Sequence, residues 1–187
     1  MAMLIRSLSE ALQTFGTLSA SYSTSDAALW SGIMLTLRKS FENDDGVFWR
    51  EDKVAVILPH LLSQLPISVS LSSAHASAFA GANPKHLLIA CLVSLVSLLP
   101  ASAADLLKRL NLSLLMHTRS EDARQRMLAL ECASEIWKAE GGKLIGFLAE
   151  TATFINECAE DENDSVVQEA HKLKNAVESV AGSINDL

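Results

Sequence analysis

The stretch that decides the fold is Ser120-Glu-Asp-Ala-Arg-Gln-Arg-Met-Leu-Ala-Leu-Glu-Cys-Ala-Ser-Glu-Ile-Trp-Lys138, read beside Asp164-Ser-Val-Val-Gln-Glu-Ala-His-Lys-Leu-Lys-Asn-Ala-Val-Glu-Ser-Val-Ala181. Stepped at about 100° per residue, Ala123, Met127, Leu130, Ala133 and Trp137 share one arc of a helix. Ala129, Cys132 and Ile136 carry the apolar surface much further round, leaving Arg124, Glu131, Glu135 and Lys138 on a narrow charged strip. Such a helix must be covered on nearly every side. The second segment has one stripe of Val166, Ala170, Leu173, Ala176, Val177 and Val180, 43 residues beyond an equivalent set in the first. That period falls in the range of HEAT and armadillo units, and the narrower stripe suits a terminal, capping helix.

Working outward, the same periodicity predicts an all-α chain, a HEAT-like α-solenoid of about eight helices in antiparallel hairpins. Helices are expected at 3–15, 26–39, 53–65, 83–99, 102–117, 120–138, 143–158 and 164–181. Asp26 is the expected cap of the second, with Leu29, Ile33, Leu37 and Phe41 on its apolar face. Pro59 either kinks the third or marks its start. Asn83-Pro84 is a helix-start signal. Three regions follow: N-terminal helical hairpins at 1–65, a Ser/Ala-rich connector at 66–82, and C-terminal repeats with a capping helix at 83–187.

Composition narrows the function. The formal net charge is −7, and residues 150–187 supply all of it, with nine acids against Lys172 and Lys174. No basic excess of the kind that grips a phosphate backbone shows in the linear sequence. Cys91, Cys132 and Cys158, spaced by 41 and 26 residues, match neither a disulfide framework nor a zinc site. They read as buried reduced thiols, which implies an intracellular compartment. Arg6, Ser7, Ser9 and Glu10 interrupt any secretory apolar core, and Leu87–Leu99 is too short to span a bilayer. The chain therefore reads as having no membrane partner. Five scattered histidines (60, 75, 86, 117 and 171) form no ligand pattern. Neither a phosphate loop nor a nucleophile motif is present, so the reading is non-enzymatic, with no metal, no cofactor and no small-molecule substrate.

Three segments carry a family resemblance. They are Thr118-Arg-Ser-Glu-Asp-Ala-Arg-Gln-Arg-Met-Leu-Ala-Leu-Glu-Cys132, Phe147-Leu-Ala-Glu-Thr-Ala-Thr-Phe-Ile-Asn-Glu-Cys-Ala-Glu-Asp161 and Thr36-Leu-Arg-Lys-Ser-Phe-Glu-Asn-Asp-Asp-Gly-Val-Phe-Trp49. Together they resemble the extreme C-terminus of the very large HEAT-repeat, U3 small nucleolar RNA-associated subunit of the small-subunit processome, in its fungal form. Ala149 departs from it, because the family often has proline there. The resemblance implies a portion of a longer polypeptide, a nucleolar scaffold acting in 18S pre-ribosomal RNA processing. Its implied partners are other processome proteins, with pre-rRNA or U3 small nucleolar RNA inside the assembly. A direct pre-rRNA binding module and a generic HEAT adaptor or transport factor are the alternatives.

Some residues invite two readings. Arg126, inside the apolar arc, is either a phosphate contact or a structural bridge to an acid or carbonyl of the adjoining repeat, and the cost of burying an unpaired guanidinium favours the bridge. Lys108, Arg109, Arg119 and Arg124 could form a basic edge toward RNA or an acidic partner, although Asp105, Glu121 and Asp122 lie among them. The acids of 157–164 read as a solvated turn, because they lack the ligand spacing of a calcium loop. Phe48 and Trp49 are either core packing or anchors for a neighbouring subunit, and Trp30 is weighed in the same way.

Overall fold

The computed structural model describes residues 2–17, 22–74 and 83–184. These hold nine α-helices and no strand: α1 (Ala2–Thr17), α2 (Thr24–Glu42), α3 (Glu51–Leu62), α4 (Gln64–Ala74), α5 (Pro84–Leu98), α6 (Ala104–His117), α7 (Ala123–Glu140), α8 (Leu148–Ala159) and α9 (Asp164–Ala181). The all-α expectation holds. The count is nine because the predicted third helix breaks at Ser63, and α3 and α4 bend by 40° across it. Pro59 stays inside α3, where its carbonyl accepts the Ser63 N–H at 3.1 Å.

The chain divides into two compact units at Leu98–Leu99, not at a connector after Leu65. Residues 66–74, expected to connect, belong to α4 and bury Ile67, Ser68, Val69 and Leu71. Serine-rich composition misleads here because Ser68, Ser70, Ser72 and Ser73 turn their hydroxyls back onto backbone carbonyls of the preceding turn. The rest of that segment, His75 included, lies outside the described residues. α5 packs on α2 and α4 and so belongs to the N-terminal unit.

In the N-terminal unit, α1 packs on α3 and α4. The cap of α2 is Ser23, whose hydroxyl accepts the Asp26 N–H while the Asp26 carboxylate accepts the Ser23 N–H, a capping box that moves Asp26 to the third helical position. Its buried face is Ala27, Trp30, Met34, Leu37 and Phe41, and Leu29 is 60% exposed. Four-residue steps drift about 40° each, so a real stripe alternates threes and fours. Asn83 and Pro84 start α5 as expected, the Asn83 side chain accepting the Lys85 N–H at 2.9 Å.

The break at Ser63 is followed by a fully buried polar group. Gln64 is fully buried; its amide nitrogen donates to the Leu12 and His60 carbonyls at 3.1 and 2.8 Å, and its oxygen accepts the Trp30 indole N–H at 3.1 Å. One side chain thus ties α1, α2 and α3 together, and Trp30 is core.

In the C-terminal unit, α6 pairs with α7 and α8 with α9, and α7 lies along α9. α7 buries Arg126, Leu128, Ala129, Leu130, Cys132, Ala133, Ser134, Ile136 and Trp137, covered nearly all round as its pattern requires. The caps Asp122 and Asn163 stand 41 positions apart, as do Gly141 and Gly182 at the other ends. The apolar stripe suggested 43. Two residues amount to about 200° of rotation, and a helix apolar on every side offers a matching face at either register. Val180 is 40% exposed, yet a Cβ on Gly141 would meet its Cγ2 at 2.9 Å, so its inner methyls lie against α7. The predicted helix at 143–158 is two 3-10 turns, Gly141–Lys143 and Ile145–Phe147, followed by α8. Ala149 sits in the first turn of α8, where a proline would also fit.

Replacing Gln64 with Ala would strand the Trp30 N–H in the core and remove the link to the Leu12 carbonyl. Urea denaturation should show the N-terminal unit losing about 2–4 kcal/mol, whereas Ser70→Ala should leave the transition within about 0.5 kcal/mol.

Candidate functional site

The turn face of the C-terminal unit is built from two inter-helix turns, 118–122 and 160–163. Each ends in a side chain that caps the next helix: Asp122 accepts the Arg124 N–H and Asn163 accepts the Ser165 N–H. Arg126 joins them. It is 8% exposed; one terminal nitrogen donates to the Ser120 and Glu121 carbonyls at 2.9 and 3.1 Å, and the other to Asp161 Oδ1 at 2.8 Å. The structural bridge is what the fold contains. The buried Nε has no partner among the described residues, and Arg126 lines a cavity of about 310 Å3 together with Arg119, Glu157 and Cys158.

Burial pushes the Asp161 carboxyl up, but the Arg126 hydrogen bond, the Asn163 N–H and the Arg126 charge outweigh that effect and hold it below its ordinary range. Glu157 is also held low, by two hydrogen bonds from Arg119 at 2.9 and 2.7 Å. The Arg119 guanidinium lies 4.5 Å from the centre of the Phe154 ring. Arg124 closes on Asp122 at 3.0 and 2.9 Å.

The four predicted basic residues therefore do not form one patch. Arg119 and Arg124 are paired with carboxylates. Lys108 and Arg109 are exposed on α6, and neither has an ion-pair partner among the described residues. They share about 100° of arc with half-buried Leu112 and with Met116, which is 56% exposed. This mixed basic and apolar stripe was not legible as such, because the sequence does not reveal which α6 residues a neighbour covers.

Trp49 is buried, which removes it as an anchor. It meets Phe41 and Phe48 edge-on at 4.8 and 5.0 Å and donates to the Ser40 hydroxyl at 2.7 Å. The Asp44 carboxylate organises the loop ahead of it, accepting the Phe48 and Trp49 N–H groups at 3.0 and 2.9 Å, and Gly46 takes a positive φ of 84°. Phe48 is half-buried under the Lys53 ammonium, 3.9 Å from its ring centre. The three thiols are buried and free, and desolvation raises the pKa of each, so they are poor nucleophiles. No group of His, Cys, Asp or Glu able to hold a metal occurs among the described residues. Also among them, no single helix is long and apolar enough to cross a membrane; α3 and α4 together pass by length and composition only, and their apolar faces are buried in the N-terminal unit.

Side-by-side helical hairpins, locked through their turns in the C-terminal unit, define an all-α, solenoid-like protein. Curated sequences narrow this further: the chain is homologous to a segment of fungal proteins named U3 small nucleolar RNA-associated protein 10. It is 28% identical to that of Phaeosphaeria nodorum over 158 residues and 30% identical to that of Neurospora crassa over 159, 84% of the chain in both cases. Against that of Pyricularia oryzae it is 27% identical over 86% of the chain. The matched segment is 8% of the length of each of these relatives. No family model and no solved structure matches the chain.

Removing one partner of the Arg126–Asp161 pair leaves a buried charge alone. Arg126→Ala should destabilise the C-terminal unit by about 3 kcal/mol in denaturant titration, and Arg124→Ala by less than about 1 kcal/mol. Because the Asp161 carboxyl titrates lower folded than unfolded, its stabilisation is full above an unfolded value of about 3.9 and disappears as pH falls through the folded one. Stability measured from pH 6 to pH 2 should therefore fall less steeply in Asp161→Asn than in the parent.

Proposed function

We propose that this chain is a non-catalytic scaffold segment in ribosome biogenesis, acting through protein–protein contacts in assembly of the small-subunit processome and processing of 18S pre-rRNA. The observation that carries the reading is similarity along 84% of the chain to relatives whose name associates them with U3 small nucleolar RNA. Placement in the nucleolus, and at the C-terminal end of a much longer polypeptide, belongs to the same proposal. The geometry supports a scaffold role: arginines at the turns are spent on holding repeats together, and the exposed face of α6 keeps two cations without an ion-pair partner among the described residues, beside Met116. Such a stripe fits a partner that brings carboxylates and one or two apolar side chains.

Direct binding to pre-rRNA is the second reading, favoured by the same Lys108 and Arg109. Two unpaired cations would neutralise about two phosphates, giving weak and strongly salt-dependent binding. A generic adaptor or transport factor fits less well, since the relatives named above share one name.

Expressed with an affinity tag within the long parent polypeptide, the segment should co-purify with processome proteins and U3 small nucleolar RNA. The double substitution Lys108→Glu, Arg109→Glu should reduce recovery of protein neighbours by about tenfold or more while leaving the melting curve unchanged. Recovery without any processome component would refute the scaffold reading. Ultraviolet cross-linking of the α6 face to RNA, lost in the double variant, would move the assignment to the second reading.

A further inference from the structure

The outward surface of the N-terminal unit is of two kinds. α1 turns Arg6, Glu10 and Gln13 outward and α3 opens with exposed Glu51 and Asp52, so both carry the charges of a solvated helix. α2 and α5, which pack on each other, differ. Opposite its buried face, α2 sets Ala28, Leu29, Gly32, Leu35 and Thr36 within about 120° of arc along about two turns. All five are exposed, Leu29 at 60% and Leu35 at 41%. α5 carries no Asp, Glu, Lys or Arg beyond Lys85, and its outer arc of Ile89, Ala90, Val93 and Ser94 is half-buried. Charge stands only at the ends of this wall: Asp26 turns back into the Ser23 capping box, Lys39 pairs with Glu42 at 2.7 Å, and His86 lies in the first turn of α5.

Two further details separate this wall from a solvated face. Its hydroxyls are satisfied internally: Thr36 donates to the Gly32 carbonyl at 2.7 Å, Ser94 to the Ala90 carbonyl at 2.8 Å and Ser97 to the Val93 carbonyl at 3.1 Å. Covering them therefore strands no donor. Gly32 is the second detail. It stands in the middle of α2, where glycine is the poorest helix former after proline, yet a Cβ added there would meet nothing within 4 Å. Packing among the described residues gives no reason for the missing side chain. A helix backbone approaching closely from outside does.

We propose that the outer wall of α2 and α5 seats a further helix of the same polypeptide, from outside residues 1–187, uncharged on the face it buries and crossing α2 at Gly32. This rests on the reading of the chain as a segment of a much longer protein, the matched segment being 8% of the length of the relatives. Three features select that occupant. The wall measures about 12 Å along α2 by two helix widths of about 10 Å, roughly 240 Å2. Each partner of a stable complex contributes roughly 800 Å2, so a second copy or a separate protein would hold poorly here. A helix tethered in the same chain is kept at high effective concentration and needs far less. The wall also offers no Trp, Tyr or Arg of the kind that anchors separate chains; its Ala, Gly, Leu, Ile and Val are the composition of a covered interior. Lacking charge, it has nothing to steer or orient a freely diffusing partner. The α6 stripe, basic and mixed, is a different surface.

The test places photo-reactive benzoyl-phenylalanine in the long parent polypeptide, in place of Leu29 or, on the charged face, of Arg6. Isotope-labelled and unlabelled copies are mixed before irradiation, so that links within one copy are told from links between two. Peptide mass spectrometry should join position 29 to one helical segment of the same copy outside residues 1–187, and should join position 6 to none. Gly32→Leu fills the space the incoming backbone needs and should cut that yield by about fivefold or more. In the 187-residue chain the same substitution meets open space and suits a helix better, so the melting midpoint should be equal or higher. Links from position 29 to residues 99–187, to a second copy, to RNA or to another protein would overturn the proposal. So would no link, the same link from position 6, or a yield that Gly32→Leu leaves unchanged. A parent polypeptide no longer than this chain would remove the longer-protein reading and this one together, whereas a long parent without the link removes this one alone.

Discussion

A guanidinium cannot be taken out of water without partners, and Arg126 is where the C-terminal unit meets that requirement. Its stem lies in the wall of α7 and its head spans two turns, bonding two carbonyls of the turn behind it and the carboxylate of the turn beyond. The desolvation of such a pair is recovered only when the geometry is good, so the turns are held in one mutual position. That position sets α7 along α9 and points Arg119 at Glu157 across the same cleft. Charges that look available in the linear sequence are consumed in holding the repeat. Within the C-terminal unit the turns leave Lys108 and Arg109, on the exposed face of α6, outside this network.

The N-terminal unit solves a related problem with a neutral group. A helix broken at Ser63 exposes backbone carbonyls in the interior, and Gln64 answers one of them while also reaching Leu12 and Trp30. An amide costs less to bury than an ion and has a donor and an acceptor to distribute, so one side chain serves three helices. The bend that follows lets α4 return against α1 and α5.

Much of the fold was legible from local pattern. The all-round apolar character of 120–138 announced a covered helix, the single stripe of 164–181 a helix wet on one side, and Asn83-Pro84 a helix start. Local pattern misled where two readings share one composition. Serine-rich 66–74 looked like a connector because serine is as much at home in loops as in helices that return its hydroxyl to the backbone. Asp26 looked like a cap, since the chemistry of a capping box is shared between its two ends. The repeat offset came out two residues long because α7 is apolar on opposite faces. Of the candidate contacts, Lys108 and Arg109 remain open, whereas Trp49, Arg119 and Arg124 are engaged by neighbours within the chain.

By itself the sequence determined that the chain is all-α, which helix is buried all round, and that Arg126 has to be bridged. These follow from hydrophobic periodicity, capping chemistry and the cost of an unpaired buried charge, all carried by residues a few positions apart. Only the tertiary structure decided that α5 joins the first unit, that Gln64 reaches 52 residues back to Leu12, and that Asp161 is the acid Arg126 finds. Partner choice between distant segments depends on which faces meet in space, and a periodic pattern records that a face is covered without recording by what.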